Sequence, residues 1–292
     1  MLTTTIHKTM NNILITGGNG QLGSAIRDIE PNFPNYKFLF THKNNLDITD
    51  HISVKEFIEN NNINTIINCA AFSDVDKAES EIKLANAINH LAVANLAKLS
   101  KDNKIKLVHI SSDYVFDGSS KKSYIENDEP NPKTVYGKTK LDGEIAIKKI
   151  NPNNSIIIRT SWLYSFFGNN FMNTIIRLAK EKNDINVVSD QLGSPTNAGD
   201  LASLILNILP SINNKKVELY HFANEGSCSW YDFAKAIFII NNIDITLNPI
   251  NSNQYPVKAQ RPKYSVLDSR LIKNKFNQSI LSWEESLKLL RN

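Results

Sequence analysis

Asn12-Ile13-Leu14-Ile15-Thr16-Gly17-Gly18-Asn19-Gly20-Gln21-Leu22-Gly23 reads as a strand, a turn and the start of a helix, and that reading decides the fold. Asn12 to Thr16 is a buried-strand run, and a helical stretch follows from Gln21 to Ile29. Gly17, Gly20 and Gly23 give a GxxGxxG spacing, where GxGxxG is commoner in dinucleotide turns. The physical need is the same in both. The chain must turn tightly, bring its backbone close to a pyrophosphate, and pack helix against strand. The helix start at Gln21, Leu22 and Gly23 then offers backbone N–H groups and a positive dipole end to phosphate oxygens. A plain glycine-rich turn would show the same glycines, and the strand–turn–helix context is what favours nucleotide binding.

Working outward, Lys37 to Thr41, Thr65 to Asn68, Leu107 to Ile110 and Ser155 to Arg159 are further β-branched or aliphatic runs. Helical patterns lie between them, with Asp50 placed to cap one, and others near Leu84 to Leu99 and Lys138 to Ile150. This βαβα rhythm predicts an α/β fold, a doubly wound parallel sheet of Rossmann type, with a smaller C-terminal α/β domain. Residues 11–164 are expected to bind the nucleotide and 165–292 mainly the substrate, with some later segments returning to the first domain.

The chain has 292 residues, enough for a sizeable core, and 41% of them are hydrophobic. Its 33 Lys and Arg against 29 Asp and Glu are too balanced and too scattered to point to nucleic acid. No apolar run is long enough to span a membrane. Met1 to Met10 is polar, without a secretory h-region, and Met10 is an alternative start that would leave a disordered tail. The protein reads as cytoplasmic. Cys69 and Cys228 lack CxxC or Cys/His spacing, so neither a disulfide scaffold nor a metal site is expected, and Cys69 reads as a buried small hydrophobe.

Tyr136-Gly137-Lys138-Thr139-Lys140 sets a phenol and an ammonium four residues apart, on one face of a helix. A nearby cation lowers a tyrosine pKa from its usual value of about 10. A phenol so tuned can pass a proton in carbonyl reduction or alcohol oxidation. Tyr231 and Lys235 repeat the spacing, but amid the apolar stripe of Trp230, Phe233, Ala236 and Ile237, which reads as packing. Tyr136 instead follows the fourth strand, whose end carries Ser111, Ser112 and Asp113. A hydroxyl there can stabilise a developing alkoxide, and Ser112 is the candidate, although either serine could serve a turn. Ala70 and Ala71 end the third strand and let a cofactor approach; they also suit tight helix–strand packing. The second strand ends without a carboxylate. His42 and Lys43 there are either partners for a 2′-phosphate or ordinary solvated residues, and Asp47 and Ile48 are expected to border the adenine. Asp76, Lys77 and Glu79 read as a solvated helix start.

Together the TGxxGxxG turn, the strand-end serine and YxxxK resemble the extended short-chain dehydrogenase/reductase family. The stretches Val75 to Glu81, Arg159 to Tyr164, Asp190 to Thr196 and Arg261-Pro262 resemble a branch acting on 4-keto-6-deoxyhexoses carried on dTDP. The likeness covers nearly the whole chain from Asn12. It implies NADPH or NADH as cofactor and a dTDP-sugar as substrate. By that resemblance Tyr136 supplies the proton, Lys140 lowers its pKa and holds the nicotinamide ribose, and Ser112 binds the carbonyl oxygen. Val75, Asp113, Trp162 and Arg261 would meet the sugar nucleotide. Some relatives form Mg²⁺-assisted dimers, so a homodimer is an expectation, while the sequence shows no ligand cluster for Mg²⁺.

Overall fold

Six short runs of aliphatic residues pair side by side in the computed structural model, which describes residues 11–290. The Met1 to Met10 stretch, expected to be a tail, lies outside the described residues. The strands are β1 (Asn11–Thr16), β2 (Tyr36–Phe40), β3 (Thr65–Asn68), β4 (Lys106–Ser112), β5 (Ser155–Thr160) and β6 (Glu218–His221). All are parallel, in the order β2-β1-β3-β4-β5-β6. The sequence direction reverses between β1 and β3, and a crevice at such a switch point is where open α/β sheets take ligands.

Alternate side chains go to opposite faces of the sheet, and both faces are covered. Ile13, Ile15, Ile156 and Ile158 pack toward helices α1 (Gln21–Ile29) and α5 (Ala198–Ile208). Leu14, Ile66, Leu107 and Ile157 pack toward α2 (His51–Asn60), α3 (Ala92–Asp102) and α4 (Val135–Ile150). Each fully buried Ile or Leu contributes about 1.5–3 kcal/mol. A separate core of Tyr164, Met172, Phe233, Ile237 and Trp283 builds a second lobe around α6 (Trp230–Ile240). Ser229 caps α6 with a full capping box, accepting from Asp232 N while Asp232 accepts in return.

The helix expected near Leu84 to Leu99 is present, but it is not uniform. Ile82–Asn86 passes through a π-helical turn, Ala87–Leu91, before α3 begins. The cause is Asn89, which turns inward and is fully buried. Its Oδ1 accepts from Phe72 N at 2.8 Å, and its Nδ2 donates to Phe72 O and to Thr139 Oγ1, each at 3.1 Å. The extra residue per turn thus ties the chain after β3 to α4, and such bulges often sit at functional sites.

Candidate active site

The glycine turn is shaped by close approach. Gly17 has φ +65°, and a Cβ there would lie 2.7 Å from Ala70 N. Only glycine holds that left-handed conformation without cost and lets the turn touch the end of β3. Gly20 precedes α1 and offers no side chain to cap it, so the first N–H groups of the helix face outward. These features fit a dinucleotide pyrophosphate. Thr16 Oγ1 donates to Asn68 Oδ1 at 2.6 Å, locking β1 to β3 beneath the turn.

A cleft of about 690 Å³ opens over this edge. It is lined by Gly17, Gly20, Gln21, Leu22 and Gly23, by His42, Lys43, Asp47 and Ile48, and by Ala70 and Ala71. Val75, Ser112, Asp113, Tyr136, Lys140 and Trp162 line it too. The structure therefore brings nearly all the sequence-derived candidates to one place. Tyr231 and Lys235 do not reach it: Tyr231 packs on the second-lobe core.

Helix α4 starts where it must. Thr134 Oγ1 accepts from Gly137 N at 3.0 Å, and Glu79 Oε1 accepts from Val135 N at 2.9 Å. Gly137 is required because a Cβ there would meet Tyr114 O at 2.1 Å. That contact presses the helix start onto the end of β4 and sets Tyr136 edge-on to Tyr114, ring centroids 5.5 Å apart. Glu79 thus departs from the expected solvated role, because the N-terminus of α4 leaves it an N–H donor.

The phenol and ammonium do not behave as the spacing alone predicts. Lys140 is buried, and its Nζ donates to Ile110 O at 2.5 Å, with His109 Nε2 at 3.5 Å. Burial pulls the lysine down to about 8, against the upward pull of Glu144. Burial likewise pushes Tyr136 up to about 12, with the Ser112 hydroxyl holding it partly back. The physical reason is that removing a phenolate from water costs more than these neighbours return. At neutral pH Tyr136 is a protonated phenol, which is the form a proton donor needs. His109, held well below its usual range by burial and by Lys140, stays neutral.

Ser112 Oγ donates to Asp113 Oδ1 at 2.9 Å and accepts from Tyr114 N at 3.2 Å. Burial raises Asp113 to about 6, opposed by the Ser265 and Ser112 hydroxyls. The Ser265 hydroxyl closes no good hydrogen bond, and Asp113 Oδ2 has no partner among the described residues. A carboxyl with its folded pKa above its ordinary 3.8 weakens the fold as pH rises through that interval. Asp113→Asn is therefore expected to raise Tm at about pH 8, by the equivalent of about 3 kcal/mol, and to leave it near wild type at about pH 4. Calorimetry at both values checks this, and equal shifts at the two would refute it.

Several residues sit differently from their sequence reading. Arg261, expected at the substrate, does not line the cleft. Its Nη2 donates to Asp76 Oδ2 at 2.6 Å, and Asp76 also accepts from Lys258 N and Ala259 N. Asp76, expected to be solvated, is instead drawn down to about 2, chiefly by the Arg261 hydrogen bond. Gln21 lines the cleft, yet its side-chain amide is tied to the second half of the chain. It donates to Leu163 O at 3.2 Å and accepts from Ser165 Oγ at 3.0 Å. Cys69, expected to be buried, is half-buried on the cleft wall with its thiol pushed up to about 12, first by desolvation. Among the described residues no group of three or more His, Cys, Asp or Glu side chains is placed to hold a metal ion.

Trp162 adopts φ +46°, a strained conformation for so large a residue. Its indole stacks on Trp230, ring centroids 3.4 Å apart and planes within 5°. The second lobe thereby fixes one wall of the cleft.

The model of the RmlD substrate binding domain matches residues 10–292. The chain belongs to this family. It is 39% identical to the dTDP-4-dehydrorhamnose reductase of Aggregatibacter actinomycetemcomitans, over 97% of this chain and 99% of that one. Two crystal structures of proteins so named superpose with a TM-score of 0.90, each covering 96% of this chain and 98% of theirs. One is from Clostridium acetobutylicum at 42% identity, and the other, from Bacillus anthracis in complex with NADP, is at 39%.

In this RmlD-family chain the sequence reading missed Glu144 and Arg159, which lie behind the cleft and are both fully buried. Two signals could have found them. Glu144 extends the Tyr136/Lys140 ladder by four residues, and Arg159 ends a run of three isoleucines. A charge inside so apolar a strand calls for a partner.

Proposed function

We propose that this chain reduces the C4 keto group of dTDP-4-dehydro-L-rhamnose to dTDP-L-rhamnose in the cytoplasm, with NADPH or NADH as reductant. The observation that carries the reading is the meeting of Tyr136, Lys140 and Ser112 on the cleft that also contains the glycine turn. Residues 11–164 would hold the nucleotide and 165–292 mainly cover the sugar. The turn from Gly17 to Gly23 would take the pyrophosphate, Asp47 and Ile48 the adenosine side, and Ala70 and Ala71 the approach beside β3. A bound dihydronicotinamide would supply the hydride. Tyr136 holds a proton at its phenol oxygen until the reacting carbonyl oxygen becomes basic enough to take it. Ser112 turns its hydroxyl from Asp113 toward the same oxygen and stabilises the charge developing there. Val75, Asp113 and Trp162 shape the wall against which the sugar lies.

The test is incubation of purified protein with dTDP-4-dehydrorhamnose and either nicotinamide, following loss of absorbance at ~340 nm. Turnover with product of the rhamno configuration is expected. Absence of turnover with both nicotinamides would sink the reading. Turnover confined to another 4-keto sugar, or the opposite C4 configuration, would assign the chain to another nucleotide-sugar reductase or epimerase. Tight binding of both ligands without turnover would mark a non-catalytic subunit of this fold.

A further inference from the structure

Three elements that carry the site meet behind it in one buried cluster. Arg159, at the end of β5, donates through Nε to Glu144 Oε1 at 2.8 Å and through Nη2 to Oε2 at 2.7 Å. Ser111, at the end of β4, donates to the same Oε1 at 2.5 Å. Arg159 and Glu144 are at most 1% exposed, and Arg159 also lies over the Phe116 ring at 5.0 Å. A fork-to-fork pair fixes orientation as well as distance. Ser111 precedes Ser112, Glu144 lies four residues after Lys140, and Arg159 is three residues before Trp162. We propose that the Glu144–Arg159–Ser111 cluster is a positioning device, which sets α4, and with it Tyr136 and Lys140, against the ends of β4 and β5. Glu144 is thus a positioning residue for the reaction proposed above, on which this inference rests.

The charged and titratable groups around the two side chains are few. His109 faces Lys140 from β4, Cys69 faces it from the end of β3, and Tyr136 and Glu144 share its helix. Glu144 faces Arg159 from β5 and Lys148 on its own helix, with His221 of β6 behind Arg159 at 3.5 Å. None of these except Glu144 is an anion close to Lys140 at neutral pH. Removing the Glu144 charge therefore favours the neutral amine, so the alkaline loss of function moves to lower pH.

Three variants test this: Glu144→Gln, Glu144→Gln with Arg159→Gln, and Ser111→Ala. Each is compared with wild type in the pH profile of kcat/KM and in the pH dependence of NADPH affinity by fluorescence titration. For the two Glu144 variants the alkaline limb of both profiles should move down by about one pH unit, a tenfold change at fixed pH on the limb. Ser111→Ala should keep the limb and lose kcat/KM several-fold, because Ser112 is no longer anchored. Profiles that superimpose on wild type, whatever the change in Tm, would overturn the proposal. If neither charge variant folds, Ser111→Ala decides, and wild-type kcat/KM in that variant overturns it. If wild type itself shows no turnover, the proposed reaction fails, and the NADPH titration still reports on Glu144 and Lys140.

Discussion

Tyr136→Phe should lower kcat by on the order of 10²–10⁴-fold, the usual contribution of a positioned general acid. Tm and NADPH affinity should stay near wild type. The phenyl ring keeps the edge-on contact with Tyr114, and the Thr134 cap and Gly137 contact that place α4 do not involve the hydroxyl. Only the proton is lost. Because burial holds the wild-type phenol at about 12, the tyrosine remains protonated across the neutral range. Steady-state kinetics with fluorescence titration of NADPH separates the two effects. Undiminished kcat would mean that another group donates the proton. A loss of NADPH affinity matching the loss of kcat would mean that the hydroxyl serves the cofactor instead.

The second large effect is on stability. Arg159→Leu removes one half of a buried ion pair and leaves the Glu144 carboxylate with Ser111 as its remaining hydrogen-bond donor. Breaking such a pair typically costs about 3–5 kcal/mol, because the stranded charge keeps its desolvation penalty and loses its counter-charge. Arg159→Leu combined with Glu144→Met should recover much of that loss, since well-packed apolar replacements of buried pairs are often close to neutral. Denaturant midpoints of the single and double variants give the comparison. A single-variant loss under about 1 kcal/mol would show that water reaches the pair. The two predictions are separable: Tyr136→Phe acts on rate with the fold intact, and Arg159→Leu acts on the fold.

Much of this was legible along the chain because its signals are local. A glycine at positive φ, a run of isoleucines and a phenol four residues from a lysine each depend on neighbours within a turn or a strand. Such signals predict the parallel sheet and single out Gly17, Ala70, Ser112, Tyr136 and Lys140, which the fold then brings to one cleft. The rest depends on partners far apart in sequence. Asp76 and Arg261 are separated by 185 positions, and no local pattern says that they close on each other. Asn89 reads as one more polar residue on a helix until Phe72 and Thr139 are brought to it, and the helix then takes an extra residue into its turn.

The direction of the tyrosine's pKa is the sharpest case. Sequence alone set which residue types could exchange a proton and on which helix face they lie, because helical period is a property of the backbone. Whether the lysine's charge reaches the phenol was decided by folding, which turned Lys140 Nζ to the Ile110 carbonyl and took both groups out of water. Desolvation is a property of everything that surrounds a group, and only the tertiary structure sets that.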